Sequence, residues 1–116
     1  MLEISELSMA QAYQQWQVQG TLLFDIRARQ HFTAAHVSDT IHLTQDSWFD
    51  AISHLSPLTP ILVICYHGIS SQRVVIRLLQ QGLLTVYNVQ GGFECWAANY
   101  PETLVRSTTF IIPDQS

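Results

Sequence analysis

Ile61-Leu62-Val63-Ile64-Cys65-Tyr66-His67-Gly68-Ile69-Ser70-Ser71 is the stretch from which the rest of the chain can be read. Its first four residues are apolar, rich in β-branched side chains and without polar alternation, the pattern of a strand covered on both faces. Pro57 and Pro60 precede it, and Gly68 supplies a turn after it. Ser70 or Ser71 can then cap a helix with Val74, Val75, Leu78 and Leu79 on one face, ending at Gly82. Strand, tight loop and helix in that order make the basic unit of an α/β fold.

Working outward, the same alternation continues on both sides. Upstream, Ser8 and Gln11 form a capping box for a helix with Met9, Ala12, Tyr13 and Trp16 at helical spacing, closed by Gly20. Leu22-Leu23-Phe24, ending in Asp25, reads as an interior strand, Ala28 to Ala35 as a short helix and Ile41 to Leu43 as a brief strand. Thr44 is expected to cap a third helix with Trp48, Ile52 and Leu55 on its apolar face. Downstream, a strand from Thr85 to Val89 leads through Gly91-Gly92 into a helix near Phe93 to Ala98. Such alternation predicts a parallel sheet with helices on both faces, and ligands sit at the carboxyl ends of its strands. One domain over residues 1–104 is expected, with a tail over 105–116 in which Phe110-Ile111-Ile112 is apolar enough to dock on the body.

Composition narrows the function classes. All five basic residues are arginines, against nine acids, for a formal net charge of −4. No basic stripe is available to release phosphate counterions, so nucleic acid is not an expected partner, and an anionic membrane surface is disfavoured for the same reason. The N-terminal stretch does not read as a signal peptide and no apolar run approaches the roughly 20 residues of a membrane helix. The cytoplasm is the expected location, with Cys65 and Cys95 as free thiols.

Cys65 is placed where a thiol becomes reactive. It stands at the end of the central strand, before the first turn of a helix, whose unpaired N–H groups and dipole favour an anion. A loop curling back aims further N–H groups at the sulfur, and Gly68 gives it the freedom to do so. The thiolate is thereby favoured, and the thiolate is the nucleophile. From position alone, Cys65 also fits plain core packing. Cys95, inside a helix beside Trp96, lacks such surroundings and reads as core.

The loop Cys65-Tyr66-His67-Gly68-Ile69-Ser70-Ser71 resembles the active-site loop of the rhodanese family, nearest to its small single-domain members. Phe24-Asp25-Ile26-Arg27 with Phe32 and His36 resembles the family's upstream signature, Ile41-His42-Leu43 fits the segment after it, and Gly91-Gly92-Phe93 with Trp96 resembles the downstream one. Together these cover roughly Ile4 to Tyr100. Ala35 and Ser38 depart from the upstream glycines, and Ser70 stands where many members carry an arginine.

The resemblance implies a three-layer α/β/α domain around a mostly parallel five-stranded sheet. It implies that Cys65 carries sulfur as a persulfide between an anionic donor such as thiosulfate and a thiophilic acceptor. Cyanide serves in the test tube, and a thioredoxin-like dithiol protein is the candidate physiological acceptor. The backbone N–H groups of Tyr66, His67, Gly68, Ile69 and Ser70 would bind the charged sulfur, and neither metal nor organic cofactor is needed.

Supporting roles fall to Ser71, Arg27, Arg73 and Asp25. Asp25 and Arg27 are weighed first as a structural polar pair, with Arg27 also a candidate for attracting the donor. Arg73 is weighed as a solvated residue that adds positive potential. His67 suits either the thiolate or an exposed rim, Tyr66 and Ile69 give the loop an apolar rim, and His36 and His42 are expected to be structural. Phe93 and Trp96 are expected in the core.

Two rival readings stand beside this one. A cysteine phosphatase would need an arginine at position 71, where this chain has a serine. A non-catalytic binding or sensing module of the same fold is the alternative from another class.

Overall fold

The computed structural model describes residues 3–107. Its central sheet has the order β1-β6-β5-β2-β4 and is parallel throughout. The strands are β1 (Ser5–Leu7), β2 (Leu22–Asp25), β4 (Ile41–His42), β5 (Ile61–Ile64) and β6 (Val86–Val89). A two-stranded antiparallel ribbon joins β3 (His36–Val37) to β7 (Leu104–Val105).

The middle strand is β5, and all four of its residues are fully buried. Successive side chains point to opposite faces of a strand, which divides the core in two. Leu62 and Ile64 pack with Leu23, Val89 and residues of α1 (Met9–Trp16) and α5 (Gly92–Asn99), with Trp96 at the centre. Ile61 and Val63 pack with Phe24, Val86 and residues of α3 (Trp48–Ile52) and α4 (Ser71–Gln80). The result is the expected α/β/α sandwich, with Phe93 and Trp96 in the core. The short α2 (Arg29–Ala34) follows β2.

Several expectations need correction. β1 carries no strand signal in the sequence: Ser5-Glu6-Leu7 has no apolar run because it is a largely exposed edge strand. Ser47 rather than Thr44 occupies the N-cap position of α3, without a side-chain cap bond, and the two residues exchange hydrogen bonds of 3.1 Å and 2.8 Å through their hydroxyls and backbone N–H groups. α3 ends at Ile52, so Leu55 lies beyond it. α1 ends at Trp16 with Gln17 as its cap, and Gly20 serves the following turn at φ +90°.

The segment left outside the alternation begins with β7, where Val105 pairs with His36 and Leu104 with Val37. Phe110-Ile111-Ile112 lies outside the described residues. Among the described residues, no helix is long and apolar enough to cross a membrane.

Candidate active site

Cys65 follows the last residue of β5, at the carboxyl edge of the sheet, and is only 3 % exposed. The chain then turns sharply, with Gly68 at φ +87°, a left-handed conformation suited to glycine. This brings the Gly68 N–H to 3.1 Å and the Ser71 N–H to 3.3 Å from the Cys65 sulfur. The Ser71 hydroxyl oxygen lies 3.1 Å from the same atom.

Neither Ser70 nor Ser71 caps α4 with its side chain, contrary to expectation. Ser70 occupies the cap position in a helical conformation without such a bond. The Ser71 hydroxyl is turned instead to Cys65 and to Asn88. The serines of this loop thus serve the sulfur rather than the helix end.

The opposite wall is the start of α5. Its Phe93 N–H donates to the Cys65 carbonyl at 2.7 Å and its Glu94 N–H to the Tyr66 carbonyl at 3.0 Å. These bonds satisfy first-turn donors of α5 and hold two loop carbonyls away from the sulfur. Contact this close requires Gly92: a Cβ there would stand 2.5 Å from both carbonyl oxygens, and its φ is +62°. Gly68 is equally confined, since a Cβ would meet the Gly91 nitrogen at 2.9 Å and the Val89 oxygen at 3.0 Å.

Two influences act on the thiol. Burial pushes Cys65 toward the neutral form, whereas hydrogen bonds from the Ser71 and Ser70 hydroxyls and from the Ser71 and Gly68 N–H groups favour the thiolate. The hydrogen bonds win, and Cys65 titrates below the ordinary thiol range.

The other candidates divide by position. Asp25 and Arg27 form a buried pair, the guanidinium Nη2 at 2.8 Å from one carboxylate oxygen and Nε at 3.1 Å from both. Arg27 also donates to the Ala35 carbonyl at 2.7 Å and lies 3.6 Å above the Phe93 ring, so it ties β2 to the end of α2 and to α5. Arg73 is exposed in the first turn of α4.

Tyr66 and Ile69 form an exposed apolar rim, 44 % and 70 % accessible. His67 sits on that rim too, 3.0 Å from Glu94 and stacked on Tyr66. His36 and His42 are bonded to the Phe32 and Arg27 carbonyls, and Phe32 stacks on both rings. Cys95 is half-buried rather than core, and its side chain lies against Gly91, where an added Cβ would meet the Cys95 Cβ at 2.8 Å and its sulfur at 3.2 Å. Among the described residues, no group of three or more His, Cys, Asp or Glu side chains could hold a metal ion.

The family model for the rhodanese-like domain matches residues 8–99. A thiosulfate sulfurtransferase GlpE from Pseudomonas savastanoi pv. phaseolicola is 41 % identical over 106 residues, covering 91 % of this chain and 99 % of that protein. The chain belongs to the rhodanese family. The corresponding GlpE of Pseudomonas syringae pv. syringae is 40 % identical over the same share of both chains.

Solved structures show the same rhodanese fold at lower identity. A thiosulfate sulfurtransferase from Pseudomonas aeruginosa gives a TM-score of 0.77 at 15 % identity, over 90 % of this chain and 20 % of that one. A rhodanese-like domain protein from Staphylococcus aureus gives 0.69 at 17 % identity, over 80 % and 91 %.

This rhodanese site also contains residues that pattern reading passed over. Asn88 meets the loop from β6 and Gln72 meets it from α4, and Glu6 of β1 accepts from both of their amides. The one sequence signal was an amide inside the apolar run Val86-Tyr87-Asn88-Val89, since a buried polar group must find partners.

Proposed function

We propose that the chain is a thiosulfate sulfurtransferase working by double displacement through Cys65. The observation that carries this reading is the sulfur's setting: a buried cysteine receiving two backbone N–H groups from its own loop, with a lowered pKa. In the first half, the Cys65 thiolate attacks the outer sulfur of thiosulfate. A new S–S bond forms, the old one breaks, and sulfite leaves with the electron pair. Cys65 then carries one extra sulfur as a persulfide anion.

In the second half, a thiophilic nucleophile attacks that outer sulfur and the Cys65 thiolate leaves. Cyanide is the laboratory acceptor and a thioredoxin-like dithiol protein the proposed cellular one, with the cytoplasm as the proposed location. The negative charge stays on sulfur in both halves, so donors already aimed at it need little reorganisation, which is electrostatic catalysis.

Gly68 and Ser71 supply those backbone donors, and Ser71 adds a hydroxyl. The N–H groups of Tyr66, His67, Ile69 and Ser70 are assigned to the outer sulfur of the persulfide. Asp25 and Arg27 brace the neighbouring strand end, and Arg73 contributes positive potential to the approach of an anion. The exposed Tyr66 and Ile69 offer an apolar surface on which a protein acceptor can rest its own thiol.

The test is thiocyanate production from thiosulfate and cyanide. The parent protein should turn over and Cys65→Ser should lose all turnover, while Cys95→Ser stays within about twofold, as expected of a substitution away from the reacting atoms. Turnover that survives in Cys65→Ser would overturn the reading.

A further inference from the structure

Asn88 lies in the middle of β6 and is completely buried. Its side-chain nitrogen donates to the Gly68 carbonyl at 3.0 Å and to the Glu6 carboxylate at 3.1 Å, and its oxygen accepts from the Ser71 hydroxyl. Two acceptors on one side allow only the NH₂ group to face them, so the amide's orientation is determined. Gln72 supports the same arrangement from α4, donating to the Gly68 carbonyl and to Glu6, each at 3.3 Å. The Gly68 carbonyl is thus held by two amides from outside its loop.

That carbonyl sits at the pivot of the cradle. The Gly68 N–H is one of the two backbone donors on the Cys65 sulfur, and it reaches there because Gly68 is left-handed. In a planar trans peptide the carbonyl and the next N–H point in opposite directions. Drawing the Gly68 oxygen toward Asn88 therefore turns the Ile69 N–H the other way, and among the described residues that N–H makes no hydrogen bond.

We propose that Asn88, seconded by Gln72, is a positioning residue of the active site: by holding the Gly68 carbonyl it keeps the loop's N–H groups aimed at the sulfur of Cys65. Asn88 touches neither sulfur nor substrate and acts through Gly68. The inference rests on the reading of Cys65 as the sulfur carrier, but the thiol's titration reports it without any sulfur donor.

The experiment is the pH dependence of Cys65 alkylation by iodoacetamide in a Cys95→Ser protein. Removing Asn88 also takes away the oxygen that accepts from the Ser71 hydroxyl, a second change beside the sulfur. The comparison is therefore made between Ser71→Ala and Ser71→Ala with Asn88→Ala, where the amide's links to Gly68 and Glu6 are what differs. Loss of Asn88 should move the midpoint up by about one pH unit and slow alkylation near neutrality about tenfold.

Gln72→Ala in the same background leaves the buried amide in place and should slow it about two- to threefold, in keeping with its longer bonds. Thr103→Ala, which removes a buried hydroxyl bonded to the Trp96 indole and to the Tyr100 carbonyl, should lower thermal stability without moving the midpoint. Coincident titrations with and without Asn88 would overturn the proposal. Should the Asn88 variant not fold, an unshifted Gln72→Ala would do so in its place. A shifted titration in a protein whose parent shows no sulfur transfer would leave this inference standing and reject the sulfurtransferase reading instead.

Discussion

At Cys65, burial and hydrogen bonding pull in opposite directions, and the sign of the balance can be tested directly. Burial disfavours the thiolate; the Ser71 and Ser70 hydroxyls and two backbone N–H groups favour it and outweigh burial. The folded protein should therefore hold its thiolate at pH values where the unfolded chain has already taken up the proton. Measured by alkylation rate against pH, the Cys65 midpoint in the folded state should lie below that in guanidinium chloride. A midpoint at or above the unfolded value would mean that burial dominates. The linked stability has the same sign: it is present above the unfolded pKa and is lost as pH falls through the folded one.

Gly92 offers a second test at this scale. A methyl group there meets the Cys65 and Tyr66 carbonyl oxygens at 2.5 Å, on a backbone at φ +62°. Gly92→Ala should cost about 2 kcal/mol or more in urea unfolding and slow Cys65 alkylation, because α5 must retreat from the loop. A variant as stable and reactive as the parent would show that this contact can relax freely.

Among the elements, β2 and its buried ion pair do the bracing. Arg27 has its guanidinium on Asp25, on the Ala35 carbonyl and over Phe93, so one side chain links three segments. Arg27→Met would leave the Asp25 carboxylate buried without its cation, at a cost of about 3–5 kcal/mol. Adding Asp25→Asn should recover much of that loss, and urea unfolding of the single and double variants measures both. At the start of α1, the Ser8 hydroxyl accepts from the Gln11 N–H at 3.2 Å and the Gln11 side chain accepts from the Ser8 N–H at 2.9 Å. Ser8→Ala should cost about 1 kcal/mol, the usual worth of such a cap.

These elements also indicate what sequence can carry. The Ser8 box was legible because both partners lie within one turn of helix. β5 was legible because a doubly covered strand must be apolar throughout. β1 was not, because Ser5-Glu6-Leu7 owes its strand conformation to pairing with β6, more than 80 residues away in sequence. Ser70 and Ser71 were read as caps because local chemistry suggested it, and the tertiary presence of the Cys65 sulfur and Asn88 redirected the Ser71 hydroxyl.

At the scale of the whole molecule, the parallel sheet brings the ends of β5, β2 and β6 to one edge, where Cys65, Asp25 and the Gly91-Gly92 turn meet. The strand–loop–helix order placed Cys65 at that edge from sequence alone. Asn88 and Glu6 were beyond such reasoning, since they join the site through the neighbour relations of β6 and β1.

The central claim is that Cys65 leaves the first half-reaction carrying one sulfur atom. Intact mass of the purified protein before and after thiosulfate tests it most directly, beside Cys65→Ser and Cys95→Ser. The account predicts a gain of one sulfur atom in the parent and in Cys95→Ser, reversed by cyanide and absent from Cys65→Ser. No gain in the parent, or a gain that persists in Cys65→Ser, would contradict it.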